Sequence, residues 1–556
     1  MIRIEPVGGA CVRGDRTQRR IDGGVPRRGP ARCIGFVCGS MSMLGFIAPG
    51  FGQTTAPPAI QPNPPAPDTA VPSEGGPTGL NERLASIGFH LTPFFDIGET
   101  YNDNVHLVAR GSETSDFITA LSPGFDITEN SRRVQGRLVY NPQELIFARG
   151  TSSNTLQQRL LGTGHADLYQ EMAFLDSSAS IQQAFLSNTG AIGPTTLTSS
   201  GNLQTVKAAN ASPYLMEHLA QYADSETRYR FSYIETSGGQ IAPEHINEAL
   251  QRFTGGKFFG RLGWTLTGDW TRIDRGSGTS DPFGGTSSRD EVARADLQYP
   301  VIYSISVVGG VGYERIADPS LIVQPNGLIW NAGLQYQPNQ TVFASLTYGR
   351  RFEQTDVEFH ASYALTPGLR IHALYTQLVQ TSQSQIASNL GQTTLGPNGA
   401  FINPQTGLPV TVNGNAFPTT SSAFGISSGS FLDKRYEADV EATRGRNNYF
   451  FSAYDEKRSG QTLGTSNERI LGTTLSWIRQ LWPNLSSNVT GGYSRSLFQD
   501  GSGRVDNLYT VSFGLAYAIS PTATTNLAAT RYDRRSNFAA ESLVNDVVTI
   551  SLHKEF

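Results

Sequence analysis

Hydrophobic and polar residues alternate with a period of two along most of the chain beyond about residue 87. In 509–519, for example, large apolar residues occupy the odd positions and small or hydroxylated residues occupy the even ones. Successive side chains of a β-strand point to opposite faces, so this pattern predicts strands with one apolar and one polar face. Comparable runs occur at 258–272, 357–365, 436–442 and 544–556.

The polar face of these strands distinguishes a membrane barrel from a soluble β-sandwich. In a sandwich that face meets water and is rich in charge, especially lysine. Here it is a mixture of Gly, Ala, Ser and Thr, and aromatic residues lie toward the ends of the apolar face. Lipid outside and a polar lumen inside require this arrangement. We therefore predict an all-β fold, a transmembrane antiparallel β-barrel of the bacterial outer membrane, in contact with outer-membrane lipids.

The connections between the predicted strands are of two kinds. Short ones containing proline, at 299–300, 337–339, 366–368, 482–484 and 520–522, alternate with longer polar ones such as 275–290, 459–467 and 534–541. Short turns at one rim and long loops at the other are typical of the periplasmic and extracellular sides of a barrel. The spacing predicts about 22 strands, within a range of roughly 18 to 22.

One connection, 381–430, is much longer than the others. It is rich in Ser, Thr, Asn and Gly and is interrupted by prolines, which argues against a packed domain. Loops of this length without regular structure are uncommon unless they are functional or disordered. We predict an extracellular loop that folds inward and narrows the pore; the alternative is a floppy external loop.

The N-terminal region precedes the alternating pattern. Basic residues at Arg27, Arg28 and Arg32 are followed by an apolar run and then by small residues, the order of a secretory signal. We predict a leader over 1–52, a disordered Pro-rich periplasmic linker over 53–85, and the barrel over 86–556. All three cysteines lie in the leader (Cys11, Cys33 and Cys38), so the mature chain would contain none.

Composition excludes several classes of protein. No segment outside the leader approaches the roughly 20 apolar residues that a membrane-spanning helix requires. The chain has 43 Lys and Arg residues against 47 Asp and Glu residues, so no strong field indicates nucleic acid as a partner. The eight histidines form no metal-binding spacing. We predict no metal, no cofactor and no enzymatic activity. A G-x-S-x-G match at 425–429 lies in a Ser- and Gly-rich loop rather than in a strand–turn–helix, and chance also explains Ser362 near His360 and His372.

The polar face supplies a set of candidate lumen-lining residues. These side chains either form structural ladders that hold the interior shut or line a hydrated path, and the sequence leaves both open. Their mixed charges favour neither cations nor anions and would suit hydrogen bonding to a neutral glycan. The set comprises Arg261, Asp269, Arg294, Asp296, Gln335, Arg351, Glu358, His360, Arg370, His372, Glu437, Asp439 and Glu441.

The last predicted strand, 544–556, ends on Phe556. A terminal aromatic residue that closes an amphipathic strand resembles the signal read by the barrel assembly machinery of the outer membrane. Lys554 departs from that pattern, which prefers an apolar residue at this position.

Several short stretches carry a family resemblance. They are ETYNDNV at 99–105, SDFI at 115–118, SPG at 122–124, FLD at 174–176, ASI at 179–181, SPY at 212–214 and GWTL at 263–266. In these stretches the chain resembles the outer-membrane β-barrel family associated with PEP-CTERM and exosortase systems. The resemblance implies a protein encoded with exopolysaccharide and protein-sorting machinery, and it brings no catalytic residues. The 381–430 segment expands on the usual loops of that family.

These observations lead to one principal functional hypothesis. We expect a non-enzymatic channel or accessory component for exopolysaccharide export or attachment, with exopolysaccharide and periplasmic export components as partners. The alternative is a general porin or a structural barrel with a plugged lumen. A barrel enzyme of the outer membrane is the third possibility.

Overall fold

The computed structural model describes residues 88–278, 284–321, 324–366, 368–395, 401–402, 425–426, 429–460, 467–499 and 501–556. The predicted leader (1–52) and linker (53–85) lie outside the described residues. No helix in the described part of the chain is long and apolar enough to cross a membrane.

The described residues are almost entirely strands. The strands are β1 (Phe89–Asn102), β2 (Asp116–Asn130), β3 (Val134–Tyr140), β4 (Gln143–Phe147), β5 (Thr155–Gln157), β6 (Leu160–Tyr169), β7 (Ala173–Phe185), β8 (Leu203–Leu219), β9 (Ala223–Thr236), β10 (Glu244–Gly255), β11 (Gly263–Arg275), β12 (Ser287–Ile302), β13 (Ile305–Ala317), β14 (Asn326–Asn339), β15 (Val342–Arg351), β16 (Gln354–Thr366), β17 (Leu369–Gln380), β18 (Thr394–Leu395), β19 (Phe401–Ile402), β20 (Phe431–Arg444), β21 (Asn447–Gly460), β22 (Asn467–Trp482), β23 (Leu485–Gln499), β24 (Val505–Ser520), β25 (Ala523–Ser536) and β26 (Leu543–Glu555). One α-helix, α1 (Ser382–Gln392), and 3₁₀ turns at Ser237–Gly239, Lys257–Phe259 and Ala539–Glu541 complete the set.

The strands form one closed antiparallel barrel. The barrel closes where β1 pairs with β26, from Phe94 opposite Glu555 to Asn102 opposite Val547. β3 and β4 both pair with β2, one after the other, and together they make one interrupted wall strand. β6 pairs with β3 and β5 pairs with β4, so β5 and β6 together make the next interrupted wall strand. β18 and β19 pair only with each other. The wall therefore has 22 strands, which confirms the predicted fold and strand number.

Burial alternates along the wall as the sequence predicts. In β8, Val206 and Ala208 are buried, whereas Lys207 and Ala209, which follow them in turn, are exposed. Large apolar side chains such as Val511 are exposed on the outer face of the wall. An apolar outer face and a polar or small inner face are the requirement for a barrel in lipid.

The two rims of the barrel differ in their connections. At the turn rim, short turns such as 303–304 and 340–341 join the strands, and β1 begins and β26 ends there. At the loop rim lie the long connections, including 103–115, 186–202, 318–325 and 381–430. One connection at the loop rim is unexpectedly tight, because β15 and β16 are joined by Phe352 and Glu353 alone. Both residues have left-handed φ, 53° and 58°, as two-residue hairpin turns of type I′ require.

Candidate functional site in the barrel lumen

The segment 381–430, called the inward segment below, begins with a helix rather than with irregular loop. Thr381 caps α1: its hydroxyl accepts a hydrogen bond from the Ser384 backbone N–H at 3.0 Å, and the Ser384 side chain accepts one from the Thr381 N–H at 3.0 Å. This reciprocal capping satisfies N–H groups at the helix start that would otherwise lack partners. The expectation of a segment without regular structure was therefore wrong for 382–392.

The apolar side of α1 packs on the lumen face of the wall. Ile386 and Leu390 are at most 1% exposed and share a cluster with buried residues of β8, β9 and β10. In the same cluster are Ala387, Val206, Ala208, Ile234, Ile246, Phe401 and Ile426. Burial of one large aliphatic side chain stabilises by about 1.5–3 kcal/mol, so this contact holds the helix firmly inside the barrel.

Polar contacts fix the same helix to the same part of the wall. The Asn210 side-chain amide on β8 donates to the Ala387 carbonyl at 2.9 Å, and the Thr163 hydroxyl on β6 donates to the Thr393 carbonyl at 3.1 Å. The Gln383 amide donates to the Ala242 carbonyl, just before β10, at 2.7 Å. The inward segment thus leaves the wall at β17, returns at β20, and is attached to strands far away around the barrel. The predicted inward fold is confirmed for the described residues of this segment.

A buried ionic network holds both ends of the inward segment. Arg275, at the end of β11, lies 3.5 Å from Glu244 and 3.2 Å from Asp318, and all three side chains are at most 3% exposed. Thr381 donates to Glu244 at 3.0 Å, and Ser430 donates to Asp318 at 2.8 Å. We call these five residues the base network.

The electrostatics of Asp318, in the loop after β13, follow from this geometry. Burial alone would raise the pKa of its carboxyl group. The positive charge of Arg275, together with hydrogen bonds from Ser320 and Ser430, outweighs burial and lowers that pKa below its ordinary value of 3.8. Asp318 is therefore ionised at neutral pH and serves as an acceptor for Ser430.

A second connection, 186–202 between β7 and β8, also crosses the mouth of the barrel. The guanidinium groups of Arg504 and Arg534 donate to the backbone carbonyls of Thr189 at 2.9 Å and Gly190 at 2.7 Å. We call 186–202 the crossing loop. It meets the inward segment where the Ile426 N–H donates to the Leu186 carbonyl at 2.7 Å. Two segments of the chain therefore lie across the lumen and support each other.

The polar residues at the end of β1 stabilise the barrel seam. The Asn104 side-chain amide donates to the Val544 carbonyl at 2.9 Å, and the Asp103 carboxylate accepts from the Asp546 N–H at 2.7 Å. Burial raises the pKa of Asp103, more than these hydrogen bonds lower it. Asn545 also donates to Asn102 at 2.6 Å. These side chains therefore form a turn that ties the first strand to the last, as Asn and Asp commonly do.

The structure places almost all of the predicted lumen-lining residues on inward-facing positions of strands. The exception is Arg261, which is exposed in the turn before β11, because that strand begins at Gly263 and not at 258. The inward-facing set is Asp269 on β11, Arg294 and Asp296 on β12, Gln335 on β14, Arg351 on β15, Glu358 and His360 on β16, Arg370 and His372 on β17, and Glu437, Asp439 and Glu441 on β20.

Most of the arginines in this set are engaged by carboxylates. Arg294 contacts Asp296 at 2.7 Å, and Arg351 contacts Glu314 at 2.7 Å. Gln335 accepts a hydrogen bond from the Gln298 amide at 3.1 Å. Sequence reasoning missed Glu314 and further inward-facing charges, namely Asp290, Asp356, Asp433, Arg435, Glu456 and Arg458. Extending the alternation of β12, β16 and β20 by one or two inward positions toward the loop rim would have found Asp290, Asp356, Asp433 and Arg435. No residue of β13 or β21 was in the predicted set, so Glu314, Glu456 and Arg458 needed those strands to be assigned first.

Three polar residues of the lumen wall resemble a catalytic array by register alone. Ser362, His372 and Asp439 lie opposite one another across β16, β17 and β20. No hydrogen bond joins them in the described structure. Of the 425–429 motif, only Gly425, Ile426 and Gly429 are described, and its serines lie outside the described residues. Nor does the described part of the chain contain a group of three or more His, Cys, Asp or Glu side chains arranged to hold a metal ion.

These features define a closed β-barrel of the outer-membrane type whose lumen is partly filled by its own connections. The family described as "Putative beta-barrel porin 2" matches residues 472–556, the last strands of the barrel. A comparison with curated proteins gives no match.

Several solved structures are similar to the chain. They include the FrpB iron transporter from Neisseria meningitidis (F3-3 variant), with 10% identity, a TM-score of 0.49, and coverage of 86% of this chain and 83% of that one. The siderophore receptor PirA from Acinetobacter baumannii has 8% identity, a TM-score of 0.45, and coverage of 84% and 80%. At these values the similarity carries no conclusion about function.

Proposed function

We propose that this chain is a non-enzymatic channel of the bacterial outer membrane that passes small hydrophilic solutes along a lumen narrowed by the inward segment. The observation that carries the proposal is the attachment of α1 to the lumen face of β6 to β10. If a loop determines the width of a channel, that loop must be held in one position. The base network and the apolar cluster hold the inward segment in this way.

The width of the wall explains why such filling is needed. Barrels of 16–18 strands enclose an aqueous channel, and barrels of 22 strands enclose a lumen that is commonly plugged. An unfilled barrel of this size would pass large solutes without selection. Segments folded inward at the loop rim restrict the passage while leaving the wall intact. The crossing loop contributes to the same restriction.

Single-channel recording in planar bilayers tests the proposal. Deletion of residues 385–422 should raise the conductance while the variant keeps its heat-modifiable migration, the mark of a folded barrel. A finer pair of variants uses α1 itself: Ile386→Asp places a charge in the apolar cluster, whereas Ser388→Asp places it on the less buried side of the same helix. We expect higher conductance only for Ile386→Asp. A folded wild-type barrel without conductance, or a folded deletion variant of unchanged conductance, would overturn the proposal.

We further propose that the solute includes an exopolysaccharide or its fragments, with periplasmic export components as partners. The support is the resemblance to the PEP-CTERM- and exosortase-associated barrels, together with the chemistry of one part of the wall. On β23 to β26 the inward face carries hydroxyl and amide groups with few charges, for example Thr490, Ser512, Thr530 and Thr549. Such groups suit hydrogen bonds to a neutral glycan. Polymer added to one side of the bilayer should block the current reversibly, and a strain that lacks the gene should carry less polymer on its surface. The absence of any block, together with a normal amount of surface polymer in that strain, would overturn this finer proposal.

A further inference from the structure

The inward face of β11 to β17 and β20 carries more carboxylates than guanidinium groups. We call this surface the acidic wall. Apart from Arg275 of the base network, its arginines are Arg294, Arg351, Arg370 and Arg435. Its carboxylates are Asp269, Asp290, Asp296, Glu314, Asp356, Glu358, Asp433, Glu437, Asp439 and Glu441. The residues predicted from the sequence comprise four arginines and six carboxylates; they include Arg261 and omit Asp290, Glu314, Asp356, Asp433 and Arg435.

Pairing removes most of the positive charge of the acidic wall. Arg294 is used by Asp296 and Arg351 by Glu314. Arg435 contacts Glu437 at 2.9 Å and also Glu456 of β21 at 2.6 Å. In contrast, Asp290, Asp356, Glu358 and Asp439 form no ion pair with any residue that the structure describes. The acidic wall therefore carries more carboxylates than guanidinium groups that pair with them.

The unpaired carboxylates are also poorly satisfied. Asp356 is 8% exposed and Asp439 is 9% exposed, and each has an oxygen without a hydrogen-bond partner among the described residues. One oxygen of Glu358 also lacks a hydrogen-bond partner among the described residues. An ionised carboxylate without a partner is costly to bury, so a cation supplied from the solution would stabilise the ionised form of such a group.

The inward-facing arginines of β9 do not cancel this field, because carboxylates match them. Arg228 contacts Asp176 at 2.9 Å and Glu226 at 2.7 Å, and Arg230 contacts Glu248 at 3.0 Å. In a cleft of low-dielectric walls, charges of one sign focus their field and concentrate counter-ions. Rings and rows of carboxylates select cations in this way in other pores.

We infer that the acidic wall makes this channel selective for cations, and that inorganic monovalent cations and small cationic solutes pass in preference to anions. The inference rests on the proposed function, because it requires a conducting lumen. It adds the sign of the charge that the passage accepts.

The test is the reversal potential of the full-length protein in a planar bilayer under a KCl gradient. We expect the wild-type barrel to have a permeability ratio of K⁺ to Cl⁻ of several-fold. The double variant Asp356→Asn, Glu358→Gln should bring this ratio close to one, and Asp439→Asn alone should lower it in part. Asp455→Asn is the matched control, because Asp455 lies on the outer face of β21 and pairs there with Arg469 at 2.5 Å. Its ratio should equal that of the wild type.

The outcomes separate the two ideas. Absence of any current overturns the proposed function and this inference with it. A current with a reversal potential near zero or on the anion side overturns the inference alone, as does a folded double variant that keeps the wild-type ratio. If the double variant fails to insert, Asp439→Asn and the wild type in 1 M KCl decide the question. Salt at that concentration screens charges beyond about 3 Å, so the wild-type selectivity should weaken.

Discussion

Replacement of Arg275 by Met should release the inward segment from the wall. The Arg275 side chain is fully buried between Glu244 and Asp318, so its removal leaves two buried carboxylates without a counter-charge. Removal of one partner from a buried ion pair typically costs about 3–5 kcal/mol. Arg272→Met on the same strand is the matched control, because Arg272 is 44% exposed and pairs with Asp274 at 2.9 Å. An exposed pair is worth at most about 1 kcal/mol.

The assay is urea unfolding in lipid vesicles, compared with single-channel recording on the same variants. We expect a free energy of unfolding lower by several kcal/mol for Arg275→Met, with higher or noisier conductance, and near-wild-type values for Arg272→Met. Equal stability of the two variants would refute the reasoning, since it would show that the base network contributes no more than a surface ion pair.

The pH dependence of this difference has a definite sign. In the wild type the pKa of Asp318 is lowered, so its contribution to stability is present above the ordinary value of 3.8 and is lost as the pH falls through the folded-state pKa. Without Arg275, the pKa of Asp318 is higher than in the wild type, because a lowering charge is lost while burial remains. The gap between wild type and Arg275→Met should therefore narrow as the pH falls from the folded-state pKa of the variant to that of the wild type.

Three further predictions concern the wall and its delivery. Leu266→Arg, on the outer face of β11, should destabilise the barrel in bilayers by about 2–4 kcal/mol, whereas Thr267→Arg on the inner face should destabilise it much less. Equal effects on stability would mean that the strand register is wrong. Deletion of Phe556 should reduce the amount of folded barrel in isolated outer membranes, and unchanged amounts would remove this residue from the assembly signal. N-terminal sequencing of outer-membrane material should give a start near Gln53, and retention of Cys33 would contradict the predicted leader.

The wall of the barrel could be predicted because its physics is local. A strand such as β24 carries its lipid-facing and lumen-facing residues at alternating positions, and this alternation is visible in the sequence. Closure of the barrel places no further requirement on the residues of the strand. The interruptions were not predicted, although one has a visible cause. Pro142 separates β3 from β4, and proline cannot donate a hydrogen bond to the neighbouring strand. The tight turn at Phe352 was also missed, because its residues are not those that usually adopt a left-handed conformation.

The lumen could be predicted only in part, because its contacts are distant in the chain. The α1 segment is rich in Ser, Gln and Asn, yet Ile386 and Leu390 stand four residues apart, the spacing of one helical face. That spacing and the cap at Thr381 were available in the sequence. The partners of the helix on β6 and β8 were not, since Asn210 and Ala387 are 177 residues apart. The same holds for the charges: alternation places a carboxylate on the lumen side, but only the fold shows which arginine reaches it.

Different residues narrow the lumen and give it its charge, so a substitution can change one of these properties without the other. The base network and the apolar cluster around Ile386 hold the inward segment at the loop rim. On β20 the acidic wall runs from Asp433 near that rim to Glu441 near the turn rim, and none of its carboxylates belongs to the apolar cluster around Ile386. Loss of the inward segment should therefore widen the passage without reversing its preference for cations, because the unpaired carboxylates remain. Neutralisation of Asp356 and Glu358 should abolish the preference with little change in width, because neither residue contacts α1. A variant in which both properties changed together would show that the helix and the acidic wall act as one constriction.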